Sequence, residues 1–207
     1  MSKQAPAGPA RLILASGSPR RQELLASLGL TFEVIPSEVD EDVPAGLAPP
    51  AYVETLAARK ARAVARRLAG TRPGEDVPAI VIGSDTTVVL DGAYLNKPAD
   101  EAEAVLMLSR LQGRTHEVYT GLCVLEHPGG REEIHHSRTR VTMRALTPER
   151  IRRYVHTGEP MDKAGAYAIQ GYGATLIEGI EGDYFTVVGL PVGLLAEVLE
   201  RFGVRVF

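Results

Sequence analysis

The sequence predicts an α/β fold in which helices flank a mixed β-sheet. Short apolar runs bounded by Gly, Pro or polar residues are typical of buried strands, and they alternate with longer segments whose apolar residues recur at helical spacing. The connections between strands are of two kinds. Some pass through a helix, as parallel strands require, and others are tight turns, as antiparallel strands allow.

The first predicted strand is the apolar run 12–15, and a helix over 19–28 follows directly. Ser18 suits the N-cap of this helix and Pro19 its first position, where the missing N–H carries no penalty. Gly29 then ends the helix.

A strand at 31–35, a helix at 51–68 and a long strand at 79–90 come next. The helix carries apolar residues at helical spacing along one face, and the long strand is a nearly continuous apolar run. Asp91-Gly92 is a hairpin-turn dipeptide that leads into a short strand around Tyr94.

The same signals predict the remaining elements. In chain order they are a helix at 101–111, paired strands at 116–125 and 134–144 around a turn at 127–130, a helix at 148–156, short strands at 174–180 and 184–188, and a last helix at 192–202. No shift in composition marks a domain boundary, so we expect one domain over 11–207, after a flexible tail over 1–10.

Composition and charge exclude several classes of protein. The formal net charge of −3 gives no basic face for a nucleic-acid duplex. The apolar run 12–15 is too short for a signal sequence or a membrane span, so we expect a cytoplasmic protein with no membrane partner. Cys123, the single cysteine, excludes an internal disulfide and fits a small core residue.

Lysine is rare in this chain, because only four of the 23 basic residues are lysines and the others are arginines. Lys3 lies in the tail. Lys60, Lys97 and Lys163 each fall in a segment that other patterns single out. We therefore expect these three lysines to have specific partners.

The segment after the first strand is suited to bind phosphate. Arg20 and Arg21 lie in the first turn of the predicted helix, where the helix dipole disfavours cations unless an anion lies between them. Helical spacing places Arg21 on the core side with Leu24, Leu25 and Leu28. The alternative is an ordinary capped helix with two solvated arginines.

Lys60 interrupts the apolar face of the helix at 51–68. Val53, Ala57, Val64 and Leu68 recur at helical spacing on the same face. A buried ammonium costs several kcal/mol unless it is paired, so Lys60 either reaches water at the helix surface or has an anionic partner. We favour a phosphate or a carboxylate as that partner.

Asp85 is a carboxylate in the middle of an otherwise apolar strand, where a lone buried carboxylate is costly. A divalent metal, a neighbouring lysine or an exposed strand edge would each relieve this cost, and we favour the first two. The acidic segment 38–42 follows the second strand, and it reads either as a solvated loop or as a source of a second metal ligand. Lys97 follows the predicted hairpin, which returns it to the neighbourhood of the strand that carries Asp85.

Seven short motifs in register resemble the Maf family of nucleoside triphosphate pyrophosphatases over about residues 11–202. They are Ser-x-Ser-Pro-Arg-Arg at 16–21, Glu-Val-Asp-Glu at 38–41, Gly-Ser-Asp-Thr at 83–86, Lys-Pro at 97–98, Gly-Arg-Thr-His-Glu-Val at 113–118, Asp-Lys-Ala-Gly-Ala-Tyr-Ala-Ile-Gln-Gly at 162–171 and Val-Val-Gly-Leu-Pro at 187–191. The resemblance implies an elongated mixed sheet flanked by helices, with two lobes around a central cleft, in a homodimer. It also implies hydrolysis of a nucleoside triphosphate between the α and β phosphates.

The resemblance further implies roles for individual residues and a divalent cation, Mg²⁺ or Mn²⁺, as cofactor. Asp85 is expected to be catalytic, and Glu41 and Asp85 are expected to hold the metal. The residues expected to bind phosphate or substrate are Ser16, Arg21, Lys60, Lys97 and Lys163.

Three positions are expected to set the substrate. Arg20, Thr86 and Gln170 resemble the branch of the family that acts on dTTP and UTP, whereas the N7-methyl-GTP branch carries an aromatic residue such as Trp at the first position. A guanidinium there repels a cationic purine, which an aromatic face would attract. Gln170 can both donate and accept, as the O4 and N3–H edge of thymine or uracil requires. The alternative for 165–173 is a flexible glycine-rich loop.

Two other functions stay open at this point. One is a pyrophosphatase for N7-methyl-GTP or modified nucleotides, and the other is a nucleotide-binding regulator of septum formation that does not hydrolyse. His116 lies inside one of the motifs, and both a structural role and a phosphate contact stay open for it.

Overall fold

The computed structural model describes residues 11–44, 46–69 and 78–207, so the predicted tail over 1–10 lies outside the described residues. Seven strands form one mixed sheet in the order β2-β1-β3-β5-β6-β7, with β4 paired to β3. Six α-helices and three short 3₁₀ helices accompany the strands in the described part of the chain. This confirms the predicted α/β class.

The helices and strands keep the predicted order with two exceptions. The strands are β1 Arg11–Leu14, β2 Glu33–Val34, β3 Ala79–Leu90, β4 Ala93–Leu95, β5 Thr115–His127, β6 Glu132–Met143 and β7 Ile177–Glu181. The helices are α1 Pro19–Ser27, α2 Pro49–Ala69, α3 Glu101–Leu111, α4 Pro148–Val155, α5 Tyr184–Val188 and α6 Val192–Arg201. The 3₁₀ helices are Glu159–Asp162, Ala164–Ala166 and Gly171–Leu176.

Both exceptions lie near the C-terminus. The predicted strand at 184–188 is wrong, because Asp183 caps this segment as helix α5 by accepting from the Thr186 backbone N at 2.7 Å. The predicted strand at 174–180 is right only from Ile177 onward, since the residues before it belong to a 3₁₀ helix.

Contacts divide the chain into two compact units. Of the described residues, unit 1 comprises those within 11–85, 121–135 and 192–207, and unit 2 comprises 86–120 and 136–191. The chain passes from one unit to the other within β3, within β5 and within β6, and again at the start of α6. The prediction of a single domain over 11–207 stays a prediction.

In unit 1, β1 pairs in parallel with β2 and with the first part of β3. Helix α2 packs its small residues on this region of the sheet, and the core contains Ile13, Ala57, Val64, Val81 and Cys123, among others. Cys123 is fully buried, and burial raises the pKa of its thiol to about 12, so it is the core residue that its position predicts.

In unit 2, the antiparallel pairs β3–β4 and β6–β7 supply the sheet, with an irregular register between Thr142 and Met143. The core lies among these strands, α3, α4 and the 3₁₀ helices, around Leu108, Leu111 and Tyr154. No described helix combines the length and the apolar character needed to cross a bilayer.

Candidate active site

Helix α2 lies unusually close to two strands of unit 1. A Cβ placed on Gly83 of β3 would lie 2.2 Å from the Ala57 carbonyl oxygen, and one on Gly121 of β5 would lie 2.2 Å from the Val53 carbonyl oxygen. Any larger residue would therefore push the helix away from the sheet. This close packing brings the polar side chains of α2 within reach of those on β3.

Lys60 is paired with two carboxylates at this contact. Its Nζ lies 2.6 Å from Asp85 Oδ1 and 2.7 Å from Glu41 Oε1. The side chains of Lys60 and Asp85 are each 10% exposed, whereas that of Glu41 is 56% exposed. The carboxylate partner predicted for Lys60 is therefore present, and the pair is nearly removed from water.

The acidic segment that carries Glu41 is held by arginines of α2. Arg59 Nη1 donates to the backbone carbonyls of Asp40 and Asp42, at 2.6 and 2.7 Å, on either side of Glu41. Arg67 Nη1 donates to the carbonyl of Pro36 at 2.9 Å, where the segment begins. The segment is therefore tied to the helix that carries Lys60.

Arg21 belongs to the same cluster. Ser16, which is buried, accepts from Arg21 Nη1 at 3.3 Å and from the Ser18 backbone N at 3.3 Å. Ser18 is the N-cap of α1 as predicted, but its side chain makes no capping hydrogen bond. Burial of the guanidinium lowers the pKa of Arg21 below its usual value, and the carboxylates of Asp85 and Glu41 oppose that shift.

We call Arg21, Glu41, Lys60 and Asp85 the charged cluster. Its two cations and two anions cancel formally, and all four side chains belong to unit 1. A ligand that brought several negative charges would displace the carboxylates from Lys60 unless it brought a cation as well. The arrangement is therefore suited to a polyanion that binds together with a metal ion.

The two carboxylates of the charged cluster are suited to bind a divalent metal, but they would fill only part of its coordination shell. Among the described residues, no group of three or more His, Cys, Asp or Glu side chains is placed to hold a metal. Asp85 and Glu41 supply hard oxygen ligands that converge on Lys60 Nζ. Mg²⁺ is commonly held by one or two carboxylates together with substrate phosphates, so this pair suits a cation that arrives with its ligand.

Four of the predicted binding and selectivity residues belong to unit 2. Lys97 is exposed, and Gln170 is half-buried. Lys163 Nζ donates to Asp162 Oδ1 at 2.6 Å and to the Glu159 carbonyl at 2.7 Å. Thr86 is half-buried, and its Oγ1 lies 2.9 Å from Thr120 Oγ1.

The glycine-rich segment around Gln170 is well anchored within unit 2. The Glu159 carboxylate accepts from the backbone N of Tyr172 at 2.9 Å and of Gly173 at 2.8 Å. On the other side of Gln170, the Ala168 backbone N donates to Tyr154 Oη at 3.0 Å. These contacts do not support the alternative of an unanchored loop.

His116 has a structural position. It is 2% exposed, and its Nε2 lies 2.7 Å from Tyr167 Oη in an edge-on ring contact. Burial lowers the pKa of His116 to about 4, so the ring is neutral at physiological pH. These observations favour the structural role over a phosphate contact.

Sequence reasoning missed the residues that position the charged cluster. Arg59 is one of many arginines, and Gly121 resembles an ordinary strand residue. Gly83 lies within one of the family motifs, but its packing role was not predicted. A weak signal was available, because a glycine inside a buried strand often marks a close approach of another backbone.

Comparison with known proteins shows which family the chain is similar to. A family model described as Maf-like protein matches residues 11–202. A dTTP/UTP pyrophosphatase of Moorella thermoacetica is 55% identical over 197 residues, covering 95% of this chain and 97% of that protein. A dTTP/UTP pyrophosphatase of Pelotomaculum thermopropionicum is 52% identical over 195 residues (94% and 98%), and one of Bacillus pumilus is 45% identical over 197 residues (95% and 99%).

Proposed function

This chain belongs to the Maf family, and on that premise we propose that it hydrolyses dTTP and UTP to the nucleoside monophosphate and pyrophosphate. The observation that carries the proposal is the convergence of Asp85 and Glu41 on Lys60, in a cluster that also contains Arg21. The names of the relatives, at 45 to 55% identity over nearly the whole chain, support dTTP and UTP as substrates.

In this proposal the cations of the charged cluster bind the phosphates. Arg21 presents a planar fork of donors that matches phosphate oxygens, and Lys60 presents a compact ammonium. Ser16 accepts from Arg21 and so orients its guanidinium. Lys97 and Lys163 are proposed as further phosphate ligands because they match family motifs. On the same basis, we propose that substrate selection depends on Arg20, Thr86 and Gln170.

Asp85 is the proposed catalytic base. Its Oδ1 accepts from Lys60, which leaves Oδ2 to take a proton from the attacking water. The water oxygen bonds to the α phosphorus, the bond from that phosphorus to the bridging oxygen breaks, and pyrophosphate leaves with that oxygen. Lys60 and Arg21 stabilise the charge on the leaving group.

A divalent cation, Mg²⁺ or Mn²⁺, held by Asp85 and Glu41, would neutralise phosphate charge during this reaction. Because the formal charges of the charged cluster cancel, this cluster alone has no positive charge in excess for a triphosphate. We therefore expect hydrolysis to need added metal and to stop when EDTA is added.

A panel of triphosphates tests the proposal. The purified chain is incubated with dTTP, UTP, CTP, dATP, GTP and N7-methyl-GTP, with Mg²⁺, with Mn²⁺ or with EDTA. Phosphate is measured before and after treatment with inorganic pyrophosphatase. We expect dTTP and UTP to be the best substrates, with phosphate appearing only after that treatment.

Other results of the panel point elsewhere. Phosphate that appears without the second enzyme would place cleavage at the γ phosphate and contradict the proposed reaction. Preference for N7-methyl-GTP would favour the other branch of the family. Nucleotide binding by calorimetry without turnover of any triphosphate would favour a binding regulator. The homodimer stays a proposal that rests on the resemblance.

A further inference from the structure

The three lysines that the structure describes differ in how their ammonium groups are held. Lys60 and Lys163 each form an ion pair at 2.6 Å, with Asp85 and Asp162 respectively. Lys97 is exposed, and its side chain forms no ion pair or hydrogen bond with any described residue. Such an ammonium attracts a polyanion without first giving up a carboxylate. Where its charge lies therefore depends on the backbone that carries it.

The chain leaves the sheet immediately before Lys97. In the hairpin of β3 and β4 the last backbone pair joins Val88 to Leu95, where β4 ends. The next two positions, Thr87 and Asn96, are joined by their side chains, because Thr87 Oγ1 donates to Asn96 Oδ1 at 3.1 Å. Thr87 is fully buried, so this hydrogen bond ties Asn96 to a fixed position in the sheet. It extends the hairpin by one residue, up to the backbone of Lys97.

Two further contacts restrain the backbone on either side of Lys97. The Asn96 carbonyl accepts from the Gly165 backbone N at 3.3 Å. Gly165 has φ +72°, and a Cβ there would lie 2.9 Å from Val88 Cγ2, so its segment packs directly on β3. Pro98, which is buried, follows Lys97, and a residue before proline is restricted to extended backbone. The backbone of Lys97 is therefore held from both directions.

We infer that Asn96 is a positioning residue, which holds Lys97 in place for the triphosphate of the substrate through its hydrogen bond to Thr87. This inference rests on the proposed function, in which Lys97 binds phosphate, and it specifies how that cation is held. Asn96 is neutral, so its loss changes the position of Lys97 and leaves the number of charges unchanged. A cation whose backbone is ordered before the substrate arrives loses less entropy on binding.

A double-mutant cycle tests whether Asn96 acts through Lys97. We would measure kcat/KM for dTTP in the wild type, Asn96→Ala, Lys97→Ala and the double variant. We expect Lys97→Ala to lower kcat/KM by at least about tenfold, as loss of one charged hydrogen bond predicts. We expect Asn96→Ala to lower it by about fivefold alone, but by less than about twofold when residue 97 is already alanine.

Variants of Thr87 make the same test without altering Asn96. Thr87→Val keeps the shape of the side chain but removes the donor, so we expect a fall of about fivefold that likewise disappears in the Lys97→Ala background. Thr87→Ser is the matched control, because it keeps the hydroxyl, and it should retain at least about half of the wild-type kcat/KM. Thermal unfolding and circular dichroism show which variants are folded, and the Thr87→Val cycle decides the matter if Asn96→Ala is not.

A merely structural role would lower kcat/KM by the same factor with and without Lys97, and this additive result in folded variants would overturn the inference. Wild-type kcat/KM in Lys97→Ala would overturn it as well, while leaving the pyrophosphatase proposal intact. Failure of the wild type to hydrolyse dTTP and UTP would instead contradict the proposed function and, with it, this inference.

Discussion

The charged cluster of unit 1 and the hydrogen-bonded threonines of unit 2, Thr86, Thr120 and Thr186, use different chemistry. The charged cluster holds four ionised side chains, and Lys60 contacts both Asp85 and Glu41. The threonines are neutral, and Thr120 Oγ1 contacts both the Thr86 hydroxyl and the Thr186 backbone carbonyl. Removing one charge leaves its partner uncompensated, whereas removing one hydroxyl leaves a neutral hydrogen-bonding group without its partner. We therefore expect the charged cluster to govern the rate of hydrolysis, and unit 2, which carries Thr86 and Gln170, to act on substrate binding.

The largest expected effect follows from Asp85→Asn. The amide keeps the size of the side chain but loses the basic oxygen, so kcat for dTTP should fall by at least about a hundredfold. Steady-state pyrophosphate release measures this loss. Turnover near the wild-type value would show that Asp85 is not the catalytic base. It would also contradict the assignment of the rate of hydrolysis to the charged cluster.

Stability must be measured alongside, because Asp85 also neutralises Lys60. Loss of one partner of a buried ion pair can cost about 3 to 5 kcal/mol, although Glu41 remains beside Lys60 in this variant. Far-ultraviolet circular dichroism and thermal unfolding separate a folded, inactive variant from an unfolded one.

A smaller loss is expected from Gly83→Ala, which changes no charge. The added methyl would lie 2.2 Å from the Ala57 carbonyl oxygen, so α2 must shift and Lys60 must move relative to Asp85. We expect kcat/KM for dTTP to fall by about tenfold and stability to fall by about 1 to 3 kcal/mol. This result would show that the charged cluster depends on backbone packing as well as on charge.

Gly193→Ala is the matched control for that change. Gly193 lies in helix α6 of unit 1, and a Cβ there would meet no atom within 4 Å. Activity should stay at the wild-type level, and stability should be unchanged or slightly higher. Equal losses in both variants would rule out the close contact of α2 with β3 as the cause.

The sequence was most informative where a residue contradicts its surroundings. Lys60 on an apolar helix face and Asp85 in an apolar strand each require a compensating partner, and the structure places them 2.6 Å apart. The hydrogen bond from Thr120 to the Thr186 carbonyl could not be predicted, because threonine is ordinary in a strand.

Local propensity failed where a capping contact decides the structure. The run 184–188 is aromatic and β-branched, which favours a strand, but Asp183 caps it as a helix and Gly189, at φ 122°, ends it. Arg59 illustrates a second limit. Its two carbonyl partners depend on how the acidic segment packs against α2, and the amino-acid sequence does not predict that backbone conformation.

The smallest expected effect comes from Glu159→Gln, which tests whether unit 2 acts on binding alone. In the native protein both carboxylate oxygens accept a backbone N–H next to the segment that carries Gln170. Glutamine keeps one acceptor and turns an NH₂ toward the other N–H, so this anchor should loosen at a cost of about 1 to 3 kcal/mol of stability. We expect KM for UTP to rise by about threefold, with kcat within about twofold of wild type, because the charged cluster is unchanged.

Glu178→Gln, on an exposed position of β7, is the matched control and should leave both constants unchanged. A fall in kcat approaching that expected for Asp85→Asn would place Glu159 in the chemistry and contradict the assignment of unit 2 to substrate binding.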